Sequence, residues 1–313
     1  MAGFHRTAIL ALGLVMAGHS ATGNAIELDS STTIEIPKGK FRAADDPRNL
    51  TDEKIRGEPN FQKVKELPKN DPNYVLSKKV GQLIAMVEDK GVAAICSGTL
   101  VGHDLFLTNH HCVTGHIAEQ ADGFGVVMEN LNGLNNAPKE SFARVRSVVE
   151  SDQYLDFALL QIQPPLGLEY GWVPVARNTA QIKAAEAVKI IQHPDGRSKE
   201  IVTEDTKVAR HVGKFMHYLA DTEGGSSGAP VFALDGKVMI GLHHAGRKDF
   251  NEAARADVIA NMLSNYLPKS ETSPETTTSG AGDGASSANE ATGSLDKSGG
   301  RESNGDGMQA ITE

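Results

Sequence analysis

Residues 224–230 read Gly224-Gly225-Ser226-Ser227-Gly228-Ala229-Pro230. Two adjacent serines stand between glycines, and the run ends in a proline, which has no backbone N–H and stops regular structure. Glycine removes the side chain that would block approach to the backbone, so neighbouring N–H groups can converge on one point. Taken alone, such a run is also what a glycine-rich hairpin contains. Two upstream segments bear on its reading. Leu107-Thr108-Asn109-His110-His111-Cys112 carries a short apolar strand into a histidine pair, and Asp156-Phe157-Ala158-Leu159-Leu160 opens an apolar strand with a carboxylate. An unpaired buried charge is costly, so a buried Asp156 needs hydrogen-bond partners. Singly, these segments are a surface loop and a strand-entry turn.

Around these segments, short apolar or alternating runs recur between Gly, Pro, Asn and Asp clusters: Leu83 to Val87, Ala93 to Leu100, Phe142 to Val149, Phe157 to Ile162, Val188 to Ile191, Lys199 to Val202 and Val238 to Leu242. Many short strands with regular turn signals predict an all-β sandwich or barrel. Helical periodicity is confined to Asn251 to Leu267, where Ala254, Val258, Leu263 and Tyr266 fall on one stripe and predict a C-terminal helix. No internal repeat has a solenoid or propeller period.

The ends of the 313-residue chain differ in composition from this middle. His5 and Arg6, the apolar run from Ala8 to Ala17 and the small residues ending at Gly23-Asn24-Ala25 read as a signal peptide, residues 1–25. Gly18, His19 and Ser20 interrupt the run short of the ~20 apolar residues that a membrane-spanning helix needs. Residues 26–76 are rich in charge and turn residues and are expected to form a weakly structured pro-segment or N-terminal arm. Residues 269–313 are Ser, Thr, Gly and Glu with almost no large apolar side chain, a composition expected to stay disordered. A formal net charge of -9 argues against a general affinity for nucleic acid or anionic membrane, both of which call for a basic surface. Cys96 and Cys112 are the only cysteines, and export would place them where disulfides persist. One bridge is the economical reading, since their spacing is far from the CxxC of zinc sites.

Jointly, the three segments resemble the trypsin-like serine peptidases. In that family the histidine directly precedes a cysteine, the acid opens a D-x-A-L-L strand, and the serine lies in G-x-S-G-x-P. The order His, Asp, Ser is that of chymotrypsin-type enzymes, and Ala229 stands where the elbow of α/β-hydrolases has glycine. The resemblance covers roughly Val80 to Leu267. Ile191-Gln192-His193-Pro194 and Gly241-Leu242-His243 make it similar to the bacterial V8-like, glutamyl branch. It implies two antiparallel β-barrels and a C-terminal α-helix, with the peptidase domain at residues 77–268 and the barrel boundary near 165–175. It also implies His111 as base, Asp156 as its orienting acid, Ser227 as nucleophile, and the N–H groups of Gly225 and Ser227 as oxyanion donors. Cys96 and Cys112 would form the bridge that anchors the histidine loop.

By the same resemblance Asp221 falls at the base of the substrate pocket, Thr222 on its wall and His243 on the strand lining it. Thr222 and His243 match the pair that holds a glutamate carboxylate in V8-like enzymes, while Asp221 matches the carboxylate that attracts Lys or Arg in trypsin-like ones; the expectation is an acidic residue before the scissile bond, with basic preference the alternative. Ser226 stands where trypsin-like zymogens have an activating aspartate, so that switch is not expected. The remaining expectations are a secreted or periplasmic monomer acting on protein or peptide substrates, with no cofactor, metal, nucleic acid or membrane anchor. Two other readings stand beside this one: a silent binding protein on the same fold, and a zinc hydrolase using His110, His111, His243 and His244, which lacks HExxH and leaves Ser227 unexplained. His103, His116 and His193 lie in no ligand-spaced cluster.

Overall fold

A computed structural model of the chain describes Ile55 and residues 58–87, 91–114 and 121–269. The signal peptide, most of residues 26–57 and all but the first residue of the C-terminal tail lie outside the described residues. All described residues belong to the compact unit Met1–Thr276.

Six strands close into an antiparallel barrel in the order β2-β3-β4-β7-β6-β5. They are β2 (Val80–Val87), β3 (Gly91–Leu100), β4 (Leu105–Thr108), β5 (Gly123–Val127), β6 (Phe142–Asp152) and β7 (Phe157–Gln163). A second, eight-stranded sheet has the order β1-β9-β8-β12-β13-β14-β11-β10. Its members are β1 (Gln62–Lys63), β8 (Val188–Gln192), β9 (Glu200–Val202), β10 (Lys207–Val212), β11 (Phe215–Leu219), β12 (Pro230–Ala233), β13 (Met239–Gly246) and β14 (Asn251–Arg255). Each apolar run of the sequence lies on one of these strands. The second sheet, open between β1 and β10, is the second barrel-like unit of the expected two-barrel fold.

Side-chain alternation explains why the two sheets share a core. Successive residues of a strand face opposite sides. On β7, Ala158, Leu160 and Ile162 point into the closed barrel, with Leu83, Phe106 and Val126. Phe157 and Leu159 point the other way, into a cluster with Ile191, Ile201, Phe232 and Leu242 of the second sheet. Phe157 and Leu159 are fully buried, and each such side chain contributes about 1.5–3 kcal/mol. The apolar D-x-A-L-L strand therefore has no solvent face, which is why it reads as continuous and not alternating.

Two expectations are altered. The helical stripe was expected over Asn251 to Leu267, but Asn251–Arg255 is strand β14, paired on one side with β11 and on the other with β13. The helix is only Ala256–Met262, with Ile259, Ala260 and Leu263 in the shared core. Part of the segment expected to be weakly structured is also ordered. Val64 is fully buried, β1 pairs with β9, and helix α1 (Pro72–Ser77) has Asp71 as its N-cap, accepting from the Asn73 N–H at 2.7 Å. Few apolar residues suffice here because the arm packs on a finished sheet and needs no core of its own.

Candidate active site

His111, Asp156 and Ser227 arise from three separate elements at the junction of the sheets. β4 delivers the histidine pair, and His111 begins a single helical turn, α2 (His111–Thr114). The following Cys112 is bonded to Cys96 of β3, so the turn is tethered to the barrel wall. Asp156 stands just before β7 with φ 52°, a left-handed conformation uncommon outside glycine but tolerated by Asp and Asn. Asn109 Nδ2 donates to the Asp156 carbonyl at 2.6 Å and so holds this turn.

The Asp156 carboxylate meets His111 twice. Oδ2 is 2.6 Å from His111 Nδ1, and Oδ1 accepts the His111 backbone N–H at 2.9 Å. A carboxylate on Nδ1 directs the ring's other nitrogen, Nε2, away from the acid and leaves it as the proton acceptor. Burial favours the neutral acid, but the hydrogen bonds from His111 and the nearby His244 ring outweigh it and hold Asp156 well below the usual carboxylate range.

The serine loop is held by β3. Ser97 N–H donates to the Ser227 carbonyl at 2.8 Å, and Ser97 Oγ donates to the Gly225 carbonyl at 2.8 Å while accepting the His193 N–H at 2.8 Å. Gly228 N–H donates to the His243 carbonyl at 2.8 Å. Glycine is required at two positions. Gly225 has φ +95°, and a Cβ there would lie 2.6 Å from the His193 carbonyl oxygen. Gly228 has φ +82°, with the Ser97 carbonyl oxygen 2.3 Å from where a Cβ would be. The Gly224 carbonyl accepts from the Asp195 N–H at 2.5 Å. Across a trans peptide the Gly225 N–H then points the opposite way. Among the described residues neither it nor the Ser227 N–H has an intramolecular acceptor. Ser226 bonds within its own loop, its Oγ accepting the Glu223 N–H at 3.1 Å.

Asp221, Thr222 and His243, the residues expected to line the substrate pocket, lie close by in sequence or strand pairing and are all buried. His243 Nδ1 is 2.8 Å from the Tyr218 hydroxyl. Thr222 Oγ1 donates to Asn251 Oδ1 at 3.2 Å, and Asn251 Nδ2 donates to the Ala220 carbonyl at 2.7 Å. Asp221 Oδ2 accepts the backbone N–H of Asn60, on the N-terminal arm, at 2.9 Å. Sequence reading gave no role to Ser97, Asn109 or Asn60 and weighed His244 only as a zinc ligand. Ser97 stands beside Cys96, Asn109 beside His110 and His244 beside His243, whereas Asn60 lies far from every residue singled out. The four histidines weighed as zinc ligands form no joint donor set among the described residues. The one donor cluster there is Cys96, His111 and Cys112, and its sulfurs are bonded to each other.

Residues 96–242 match the family model of the trypsin-like peptidase domain. A glutamyl endopeptidase of Staphylococcus aureus is 27% identical over 211 residues, 64% of this chain and 62% of its own. Secreted RxLR effector protein 73 of Plasmopara viticola is 29% identical over 48% of this chain and 41% of its own. An uncharacterized protein of Sinorhizobium fredii is 28% identical over 49% and 25%. The chain thus spans between a quarter and about three fifths of the length of these curated relatives. Among solved structures, a Glu endopeptidase in complex with MPD superposes with a TM-score of 0.52 at 21% identity, over 68% of this chain and 98% of that one, a likeness of fold. Residues 96–242 thus match a trypsin-like peptidase domain, the curated relatives include glutamyl endopeptidases, and the fold is similar to that of a Glu endopeptidase.

Proposed function

We propose that the protein is an exported serine endopeptidase in which Ser227, His111 and Asp156 form the catalytic triad. The observation that carries the reading is the double contact of the buried Asp156 carboxylate with His111, at 2.6 Å to Nδ1 and 2.9 Å to the backbone N–H. Ser227 Oγ attacks the scissile carbonyl carbon, and His111 Nε2 takes its proton as the C–O bond forms. Asp156 stabilises the resulting imidazolium. The negative charge on the carbonyl oxygen is met by the N–H groups of Gly225 and Ser227, which the loop leaves without internal acceptors. His111 returns the proton to the leaving amine as the C–N bond breaks, giving an acyl-enzyme. Water then repeats the sequence, with His111 again as base, and releases the acid.

The substrate residue before the scissile bond is acidic in this reading. His243 Nδ1 is 2.8 Å from the Tyr218 hydroxyl; this reading takes the tautomer in which the hydroxyl donates to Nδ1, so that Nε2 carries the ring proton and donates to a substrate carboxylate, with the Thr222 hydroxyl beside it. Asp221 does not compete, because its buried carboxylate is turned to the arm at Asn60. Residues 1–25 act as signal peptide and 77–268 as peptidase domain, with the arm from Glu58 packed onto it; 269–313 remain a tail.

Two measurements test this. Ser227→Ala abolishes peptide hydrolysis and fluorophosphonate labelling while circular dichroism is unchanged; hydrolysis near the wild-type rate refutes the triad. Profiling against peptides that vary the residue before the scissile bond gives cleavage after Glu or Asp. Cleavage after Lys or Arg with none after Glu or Asp overturns the specificity reading.

A further inference from the structure

The catalytic aspartate of this reading has a second imidazole on it. His244 follows His243 on β13, and its Nδ1 lies 3.7 Å from Asp156 Oδ2, the same oxygen that His111 Nδ1 approaches to 2.6 Å. On the opposite edge of the ring, His244 Nε2 is 3.3 Å from Glu252 Oε1 of β14, an ion-pair distance. The three side chains are 10–15% exposed. Phe215 of β11 stacks on the His244 ring with centroids 5.3 Å apart. The ring is therefore held in place between two carboxylates.

This placement selects a charge state. A neutral imidazole has one N–H and one lone pair, so it would turn a lone pair toward one of the two carboxylates. Only the imidazolium offers a proton to both. Burial works against the charged ring, but the two carboxylates outweigh it and raise its pKa above the usual histidine value.

Glu252 is in turn anchored. Its Oε2 is 2.9 Å from His217 Nε2, and its Oε1 accepts from Arg247 at 2.9 Å. His217 Nδ1 accepts from Arg210 Nε at 3.1 Å, so the His217 proton sits on Nε2 and is donated to Glu252. Phe250 stacks on His217 at 3.9 Å. The charged and titratable groups around His244 are thus Asp156 with His111 behind it, Glu252, Arg247, and His217 with Arg210. Lys214, next to Phe215, turns to the Tyr154 ring.

We infer that His244, as an imidazolium clamped between Asp156 and Glu252, is a positioning residue of the active site: it fixes the Asp156 carboxylate and shares its negative charge with the His111 ring. The inference rests on the reading of Asp156 and His111 as catalytic. Its consequence is that the pull of Asp156 is divided between the His111 and His244 rings, and the pH profile of turnover carries that division. No bond is made or broken at His244, and its proton stays in place through turnover.

The test is the pH profile of kcat/KM for His244→Gln, whose amide can donate to one carboxylate but carries no charge. With the shared cation gone, Asp156 acts on His111 alone, and the acid limb moves upward by roughly one pH unit. Glu252→Gln, which leaves His244 without its outer anion, moves the limb the same way by less. A limb that stays at the wild-type pH in His244→Gln, whatever the change in kcat, overturns the inference. In case the variants fold poorly, the His244 ring is titrated by NMR in Ser227→Ala protein, where a midpoint above 6.5 that falls in Glu252→Gln is expected and a midpoint at or below 6.5 refutes the charged clamp. That titration needs no turnover, so an inactive wild-type protein would sink the triad and leave this result readable.

Discussion

Replacing both Cys96 and Cys112 by alanine tests how much the histidine turn depends on its tether. The bridge closes a loop with a sequence separation of 16. Constraining a loop of that length removes denatured-state entropy equivalent to about 3 kcal/mol at 25 °C. Both sulfurs are buried in the core of the closed barrel, so losing them adds a small packing cost with the same sign. For a domain of this size each kcal/mol shifts the melting temperature by roughly 2–4 °C, so the double variant should melt roughly 6–12 °C lower. Differential scanning calorimetry of wild type and variant, each with and without reductant, measures it. Reductant should lower the wild-type transition and leave the variant unmoved. Since Cys112 adjoins His111, kcat should also fall at temperatures where the variant is fully folded. A melting temperature within 2 °C of wild type would refute the tether argument, and full activity below the transition would show that Asp156 and Asn109 suffice to hold the turn.

Gly225→Ala places a Cβ 2.6 Å from the His193 carbonyl oxygen and 3.0 Å from the Gly196 nitrogen at φ +95°, so the peptide proposed to offer an oxyanion N–H must move; kcat/KM should drop about 100-fold, and an unchanged value excludes Gly225 from oxyanion binding. Ser97→Ala strips the Gly225 carbonyl and the His193 N–H of their shared partner, which should cost about 1–3 kcal/mol in urea unfolding and slow fluorophosphonate labelling; unaltered labelling would mean the serine loop holds its shape without β3. His193 bears on acid stability: burial first, then the charge of Lys199, lowers its pKa from 6.5 to about 3. Below pH 6.5 the unfolded chain takes up a proton that the folded one refuses until about pH 3, so stability falls as pH drops through that window, by at most about 5 kcal/mol. His193→Gln should flatten this fall, as read from urea midpoints at pH 7 and pH 4; parallel pH dependence in variant and wild type rules it out.

The sequence by itself determined the class of fold and the position of most strands, because burial writes itself into local composition. Phe157 to Leu160 is apolar on both faces, and both faces are covered, one by the barrel interior and one by the second sheet. Asn251–Arg255 was not legible in this way. Its alanines suit a helix as well as a strand, and what makes it a strand is the pair of neighbours, β11 and β13, that bond it on both edges. The ordered arm was hidden for the same reason: β1 exists only because the β9 edge is there to receive it. The candidate site divides along the same line. The glycines at 225 and 228 were visible as composition, but the carbonyl oxygens that forbid a side chain there come from His193, just past β8, and from Ser97 on β3. The sequence showed Asp221 pulling against Thr222 and His243; only the tertiary structure turned the Asp221 carboxylate to the Asn60 N–H, 161 residues away in the chain. The placement of His244 between Asp156 and Glu252 was likewise decided only when β13, β14 and the Asp156 turn met, since the charge state of a ring depends on what surrounds it in space.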